Sequence, residues 1–151
     1  MRGLSFIADG EFFSVDVTLV KKVVRNMAIT PIPAVPGAVV GIANMKGRIV
    51  TVLSLAELLG RGRDAQAESA VIFKSFTNGN DQMGLLVDKP VGLIDIDENE
   101  ILPLPRTAGE EEKFCISGMT EVEGRLYRII NIDSIISRFK NDDENAADTI
   151  S

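Results

Sequence analysis

Histidine and tryptophan are absent from this chain of 151 residues, and cysteine and tyrosine occur once each. Without histidine there is no imidazole base, the commonest metal ligand is missing, and no Ser-His or Cys-His nucleophile can be assembled. The single Cys115, between Phe114 and Ile116, excludes an intramolecular disulfide framework and reads as a small core hydrophobe, not a nucleophile. No Walker A sequence is present, and Gly60-Arg61-Gly62 lacks the strand-to-helix setting of a dinucleotide fingerprint. No cofactor is expected. No apolar run approaches the roughly 20 residues of a membrane-spanning helix. A charged leader followed by an apolar segment is also missing from the N-terminus, so a cytoplasmic location without direct membrane insertion is expected. Lys and Arg number 16 against 22 Asp and Glu, a formal charge of −6 and a pI of about 4.7. The cations are scattered, as in Arg61-Gly62-Arg63, whereas nucleic-acid binding needs them clustered. No nucleic-acid partner is expected.

What is present is a repeat. Val40 to Leu59 (VGIANMKGRIVTVLSLAELL) aligns without a gap on Ser117 to Ile136 (SGMTEVEGRLYRIINIDSII) at a spacing of 77 residues. Gly41 meets Gly118, Gly47 meets Gly124, Arg48 meets Arg125, and eight further pairs are apolar on both sides. Each copy reads as strand, turn, strand and short helix. In the first copy, Val39 to Met45 and Arg48 to Leu53 are the strands, Lys46-Gly47 the turn, and Ser54 with Glu57 a capping box. In the second, Glu123-Gly124 is the turn and Asn131 or Asp133 the cap. Gly47 and Gly124 supply positive φ at the turns. Gly41 and Gly118 mark bulges or close backbone approach, with access for a partner as a second role for Gly41.

Elsewhere, Asp9-Gly10 predicts a hairpin over Phe6 to Val17. Val20, Val23 and Val24 have helix-like spacing that their β-branching opposes. The prolines from Pro31 to Pro36 demand extended or turning chain. Arg61 to Ser69 reads as a polar loop. Ala70 to Phe76 and Gln82 to Asp88 are strands joined by a turn at Thr77 to Asp81. Val91 to Ile96 is a strand, Asp97 to Glu100 an acidic turn, and Glu110 to Lys113 a solvated stretch. Lys140 to Ser151 is polar and acidic, with a frayed tail expected over 141–151. Many short strands with turn signals every 8 to 12 residues predict a mainly β protein closed as a sandwich or barrel. The repeat suggests two similar barrels related by a pseudo-two-fold.

Carboxylates are the remaining candidates for acid–base chemistry. Asp88, Asp95 and Asp97 qualify by position, and a solvated edge is the plainer reading of all three. The run from Asp95 starts like a calcium loop, but Glu100 stands where its glycine belongs and Arg106 where its closing glutamate belongs, so no metal site is expected.

The stretch Ile32-Pro33 … Pro36-Gly37-Ala38-Val39-Val40-Gly41-Ile42-Ala43-Asn44-Met45-Lys46-Gly47-Arg48-Ile49-Val50 resembles the CheW-like domain family. The usual form there is a proline-bearing lead-in, a Gly-Val-Ile-Asn-Leu-Arg-Gly strand and turn, then Val-Pro-Val-Ile-Asp-Leu. Leu85 to Pro103 resembles the second half of the family's domain and Gly118 to Ile136 its last strand pair and helix. The likeness runs from Phe6 to about Phe139.

The resemblance implies one domain over 1–140, built of two interleaved five-stranded SH3-like barrels with short helices, the first mainly 14–76 and the second mainly 82–136. It implies a non-enzymatic adaptor that couples the histidine kinase CheA to methyl-accepting chemoreceptors and is recruited to membrane-associated arrays. One barrel would dock the kinase's regulatory domain, by an exposed aliphatic surface expected on the first. A groove between the barrels would hold the receptor's hairpin tip, with contact positions falling on Val20, Lys22, Gly41 and Lys46. Two of these depart from the family: Lys22 replaces a common acidic residue, and Lys46 an arginine whose planar fork lysine lacks. Ser54 replaces an aspartate, and both cap helices. These departures leave room for a non-flagellar chemosensory system. A start at Met1 and the acidic tail point to a complete short protein over a regulatory domain cut from a kinase. A competing reading of another class is a small-ligand-binding or enzymatic β-barrel using Asp88 or Asp95, which requires a pocket where polar groups converge.

Overall fold

Asp9-Gly10, Lys46-Gly47 and Glu123-Gly124 share one backbone geometry. Both residues of each pair have positive φ: 50° and 75°, 52° and 83°, 51° and 79°. This is the two-residue hairpin turn whose twist matches that of the strands it joins. The computed structural model describes residues 1–32, 38–62, 67–74 and 82–138. Its strands are β1 (Arg2–Ala8), β2 (Glu11–Asp16), β3 (Val20–Arg25), β4 (Val39–Met45), β5 (Arg48–Ser54), β6 (Ser69–Phe73), β7 (Gln82–Val87), β8 (Lys89–Asp95), β9 (Ile116–Val122) and β10 (Arg125–Ile130). Helices α1 (Leu55–Leu58), α2 (Glu110–Cys115) and α3 (132–138) are short.

The strands form two five-stranded sheets, in orders β3-β6-β7-β5-β4 and β8-β1-β2-β10-β9. Within each, one pair is parallel: Val52 beside Gly84, and Ile129 beside Ser14. Superposing the orders matches β3 with β8, β6 with β1, β7 with β2, β5 with β10 and β4 with β9. The irregularities match too. Lys21 and Val91 are bulged in the first pair of matched strands, Val40 and Ser117 in the last. Isolated bridges tie Thr30 to Ile42 and Leu102 to Met119. The repeat is therefore the whole sheet, not the strand–turn–strand–helix alone.

The second copy is circularly permuted. The chain begins with the hairpin that ends the second sheet, builds all of the first sheet, then returns to finish the second. A division at 14–76 and 82–136 follows chain order and does not match the sheets: β7 belongs with β3 to β6, and β1 and β2 belong with β8 to β10. The outer strands of each sheet do not pair with each other among the described residues, so the SH3-like sheets curl without a closed hydrogen-bonded barrel.

β3 is a strand, and its helix-like valine spacing has a cause. The bulge at Lys21 adds one residue, so Val20 opposes Phe73 and Val23 opposes Val71, on one face. Val20 and Val23 pack on the core shared by both sheets, built around Phe6, Phe13, Phe73, Leu85 and Ile135, while Val24 packs on a second cluster of Val50, Val52, Ala70 and Ile72. The second cluster belongs to the first sheet. At the matching places the second sheet has Tyr127, Ile129, Gly3 and Ser5, a smaller and more polar set.

Glu110 to Lys113 is helical, which corrects its reading as merely solvated chain. Its acidic residues complement the positive end of the helix, and burial rests on Cys115 at the far end. Of the two cap candidates for α3, Asn131 does the work, its Oδ1 accepting from Ser134 N–H at 3.2 Å. Ser54 Oγ accepts from Glu57 N–H at 3.2 Å and is buried. Ser54→Ala is expected to cost about 1 kcal/mol in a urea melt, since no water replaces the lost acceptor. The turn expected at 77–81, the prolines at 33 and 36, and the tail over 141–151 lie outside the described residues.

Candidate functional site

The residues expected to contact a receptor lie at the two outer strands of the first sheet. Lys22 and Gly41 end a single cross-strand row, Lys22–Ile72–Gly84–Val52–Gly41. Lys22 is exposed, and its row lies on the face covered by the second cluster. Val20, two residues away, is on the other face because of the Lys21 bulge; it is half-buried on the shared core. Lys46 is exposed at the tip of the β4–β5 hairpin, where Asn44 Oδ1 accepts from Gly47 N–H at 3.0 Å.

Gly41 has a structural duty. It is buried, its φ is not in the left-handed region, and the crossing segment at Thr30 exchanges two hydrogen bonds with Ile42, at 2.8 and 2.9 Å. A Cβ built on Gly41 would collide with the Thr30 carbonyl oxygen and lie 2.8 Å from its carbon and 2.9 Å from Ile29 Cγ2. Gly118 repeats this arrangement, where a Cβ would meet Ile101 Cγ2 at 2.6 Å and the Leu102 carbonyl oxygen at 2.8 Å. The close approach belongs to the duplicated architecture, so it gives Gly41 no special claim to a partner.

In the sequence Arg61 is one scattered cation at the start of a polar loop. It follows α1 and reaches across to the second half, with Nη1 2.9 Å from Glu11 Oε1 and 3.2 Å from Asp9 Oδ2, and Nη2 3.2 Å from Glu112 Oε1. Arg128 Nη1 adds an ion pair to Glu11 Oε2 at 2.8 Å, off the hydrogen-bond axis. Burial alone pulls the Arg61 guanidinium pKa down; Glu11, Glu112 and Asp9 together more than reverse it, and the net direction is upward. No local sequence signal marks this clasp, because its members come from four separate elements.

Among the described residues, the exposed large aliphatics are Ile32 and Ile49 in the first half and Val91, Leu93, Leu102 and Leu126 in the second. The surface expected on the first barrel is thus concentrated on the second. Val91 is 44% and Leu93 55% exposed, both on β8, an outer strand with one unpaired edge.

The candidate carboxylates do not converge. Asp88 Oδ2 accepts from Asp9 N–H at 3.2 Å, Asp95 pairs with exposed Arg2 at 3.4 Å, and Asp97 Oδ1 accepts from Asn99 N–H at 2.9 Å. None of them lines the cleft of about 550 Å³ formed by Leu104, Pro105, Arg106, Lys113, Ile116 and Ser117. Burial pushes the Cys115 thiol up to about 11, so the thiol stays protonated near neutral pH.

Residues 2–140 match the profile of the CheW-like domain. The chain is 33% identical over 133 residues to the chemotaxis protein CheW of Thermotoga maritima, covering 88% of this chain and 85% of that one. Another chemotaxis protein CheW, from Rhizobium meliloti, is 24% identical over 144 residues, with 95% and 90% covered. Among solved structures, the scaffolding protein TtCheW of Thermoanaerobacter tengcongensis matches at 27% identity with a TM-score of 0.74, over 86% of this chain and 88% of that one. Two matched sheets, a duplicated hairpin–bulge framework and a match spanning nearly the whole chain place this protein in the CheW-like domain family.

Proposed function

We propose that this protein is an adaptor that couples a CheA-type histidine kinase to methyl-accepting chemoreceptors, acting by docking and not by chemistry. The β8 edge carries the kinase side of this reading. Sheet edges are usually blunted by charge, and β3, the match of β8 in the first sheet, follows that rule with Lys21 at the bulge. β8 has Val91 at the same bulge, and Leu93 stands beyond it where β3 has half-buried Val23. An apolar, half-exposed edge is a ready surface for another sheet-bearing domain, such as the regulatory domain of the kinase. Docking on one half leaves the other half for a receptor, and repeated pairwise contacts add up by avidity in an array at the membrane. No helix among the described residues is long and apolar enough to cross a membrane.

Calorimetric titration with a purified CheA regulatory domain tests this. Leu93→Glu should weaken binding by about tenfold or more while the melting temperature stays in place, because the side chain is exposed. If the wild-type protein binds neither that domain nor a receptor hairpin-tip fragment at roughly tens of micromolar, the adaptor reading is wrong.

A further inference from the structure

Charge is divided unequally between the halves of this chain. Residues 17–87, which build the first sheet, hold eight Lys and Arg against four Asp and Glu, whereas the rest holds eight against eighteen. Arg61 is spent on the clasp to the second half. Lys21, Lys22 and Arg25 on β3, and Lys46 and Arg48 at the β4–β5 turn, are all exposed. None of these five has a carboxylate within ion-pair distance among the described residues.

The second sheet serves as an internal control for what the architecture needs. Its residues at the matching places are Val91, Gly92, Asp95, Glu123 and Arg125. The same bulge, edge and two-residue turn form there with a positive charge at one place of five, and that one, Arg125, is spent on the Phe12 ring at 4.2 Å. Folding therefore does not call for the cations at 21, 22, 25 and 46. Holding them unpaired costs mutual repulsion, which an acidic partner relieves.

Their strands also pack on one apolar cluster. Val24, two residues from Lys22, and Met45, next to Lys46, pack on the same cluster of Val50, Val52, Ala70 and Ile72. The curled sheet thus sets its two outer strands around one apolar centre, with Lys22 at one rim and Lys46 at the other. We infer that this basic rim seats an acidic segment of the receptor partner, with carboxylates facing both Lys22 and Lys46, and rejects a segment that presents Lys or Arg opposite Lys22. This rests on the adaptor reading and adds the chemistry of the partner. A short protein segment fits better than a nucleic acid, because the strongly acidic second half repels a long polyanion.

Fluorescence anisotropy decides it, with a labelled chemoreceptor hairpin-tip fragment, the same fragment with its Asp and Glu changed to Asn and Gln, and a single-stranded DNA of similar length. Lys22→Glu and Lys46→Glu should each weaken fragment binding by about tenfold, and neutralising the fragment should do the same. Glu123 already occupies the matching turn position at φ 51°, so Lys46→Glu has a precedent within this fold. Lys113→Glu, an equal charge change on the second half, should shift binding by less than about twofold. All variants should still bind the kinase regulatory domain. The inference is overturned if the fragment binds and ignores both substitutions, if Lys113→Glu weakens it equally, or if DNA binds as tightly as the fragment. Loss of kinase and fragment binding together in the wild type removes the adaptor reading, and this inference with it.

Discussion

Gly41→Ala lowers the free energy of unfolding by about 3 kcal/mol, read as a fall in the urea midpoint at constant slope. The added methyl has nowhere to go. The nearest atoms are the carbonyl of Thr30 and Ile29 Cγ2, and that carbonyl accepts the Ile42 N–H at 2.9 Å. Backbone cannot rotate away as a side-chain tip can, so relief requires breaking the Thr30–Ile42 bridge. Gly118→Ala meets the same obstacle at Leu102 and should cost a similar amount. Gly47→Ala is the contrast: nothing lies within 4 Å of its Cβ, and the penalty is the left-handed φ of 83° alone, about 1 kcal/mol. If Gly41→Ala proves no worse than Gly47→Ala, the close approach at Thr30 is not what that glycine provides. For the same reason, Gly41→Asp is unsuitable as a probe of docking, since it unfolds the surface it would test.

Arg61→Ala should cost about 2 kcal/mol. Its side chain is 22% exposed and binds three carboxylates from the other half of the molecule. Removing it leaves Glu112 and Asp9 without their cation and leaves Glu11 with Arg128 alone. Arg61→Lys should recover less than half, because one ammonium cannot reach Glu11 and Glu112 as two forks of a guanidinium do. Salt is the lever here, not pH. A cation whose folded pKa is raised contributes fully at every pH below its unfolded value, which for arginine lies far above neutral, so Arg61's own titration leaves the neutral range flat. The gap between wild type and Arg61→Ala should narrow at high salt, as the partly exposed pairs are screened. A gap that ignores salt would mean that Arg61 acts by packing its stem.

The turns, the Ser54 cap and the paired glycines were legible because each is a local rule acting over a few residues. β3 was not. Its valines mimic a helix because a bulge at Lys21 inserts one residue into a two-residue period, and that bulge exists only opposite Phe73 and Ile72. Glu110 to Lys113 reads as plain solvated chain because its outward acids carry no apolar stripe, and only the burial of Cys115, the last residue of the helix, reveals that it is docked. The positions expected to contact a receptor are named individually by resemblance, but only the paired sheet sends Val20 to the shared core and Lys22 to the face of the second cluster.

Residue order alone settled that the protein is mainly β, duplicated, and poor in the groups that catalysis needs, because alternation, turn chemistry and composition are properties of neighbours in the chain. Tertiary structure decided the rest. It set β2 beside β10 and so permuted the second copy, it turned Val20 inward and Lys22 outward, and it joined Arg61 to carboxylates far away in sequence. Those outcomes follow from which faces must share one core, and no local window of sequence contains that information.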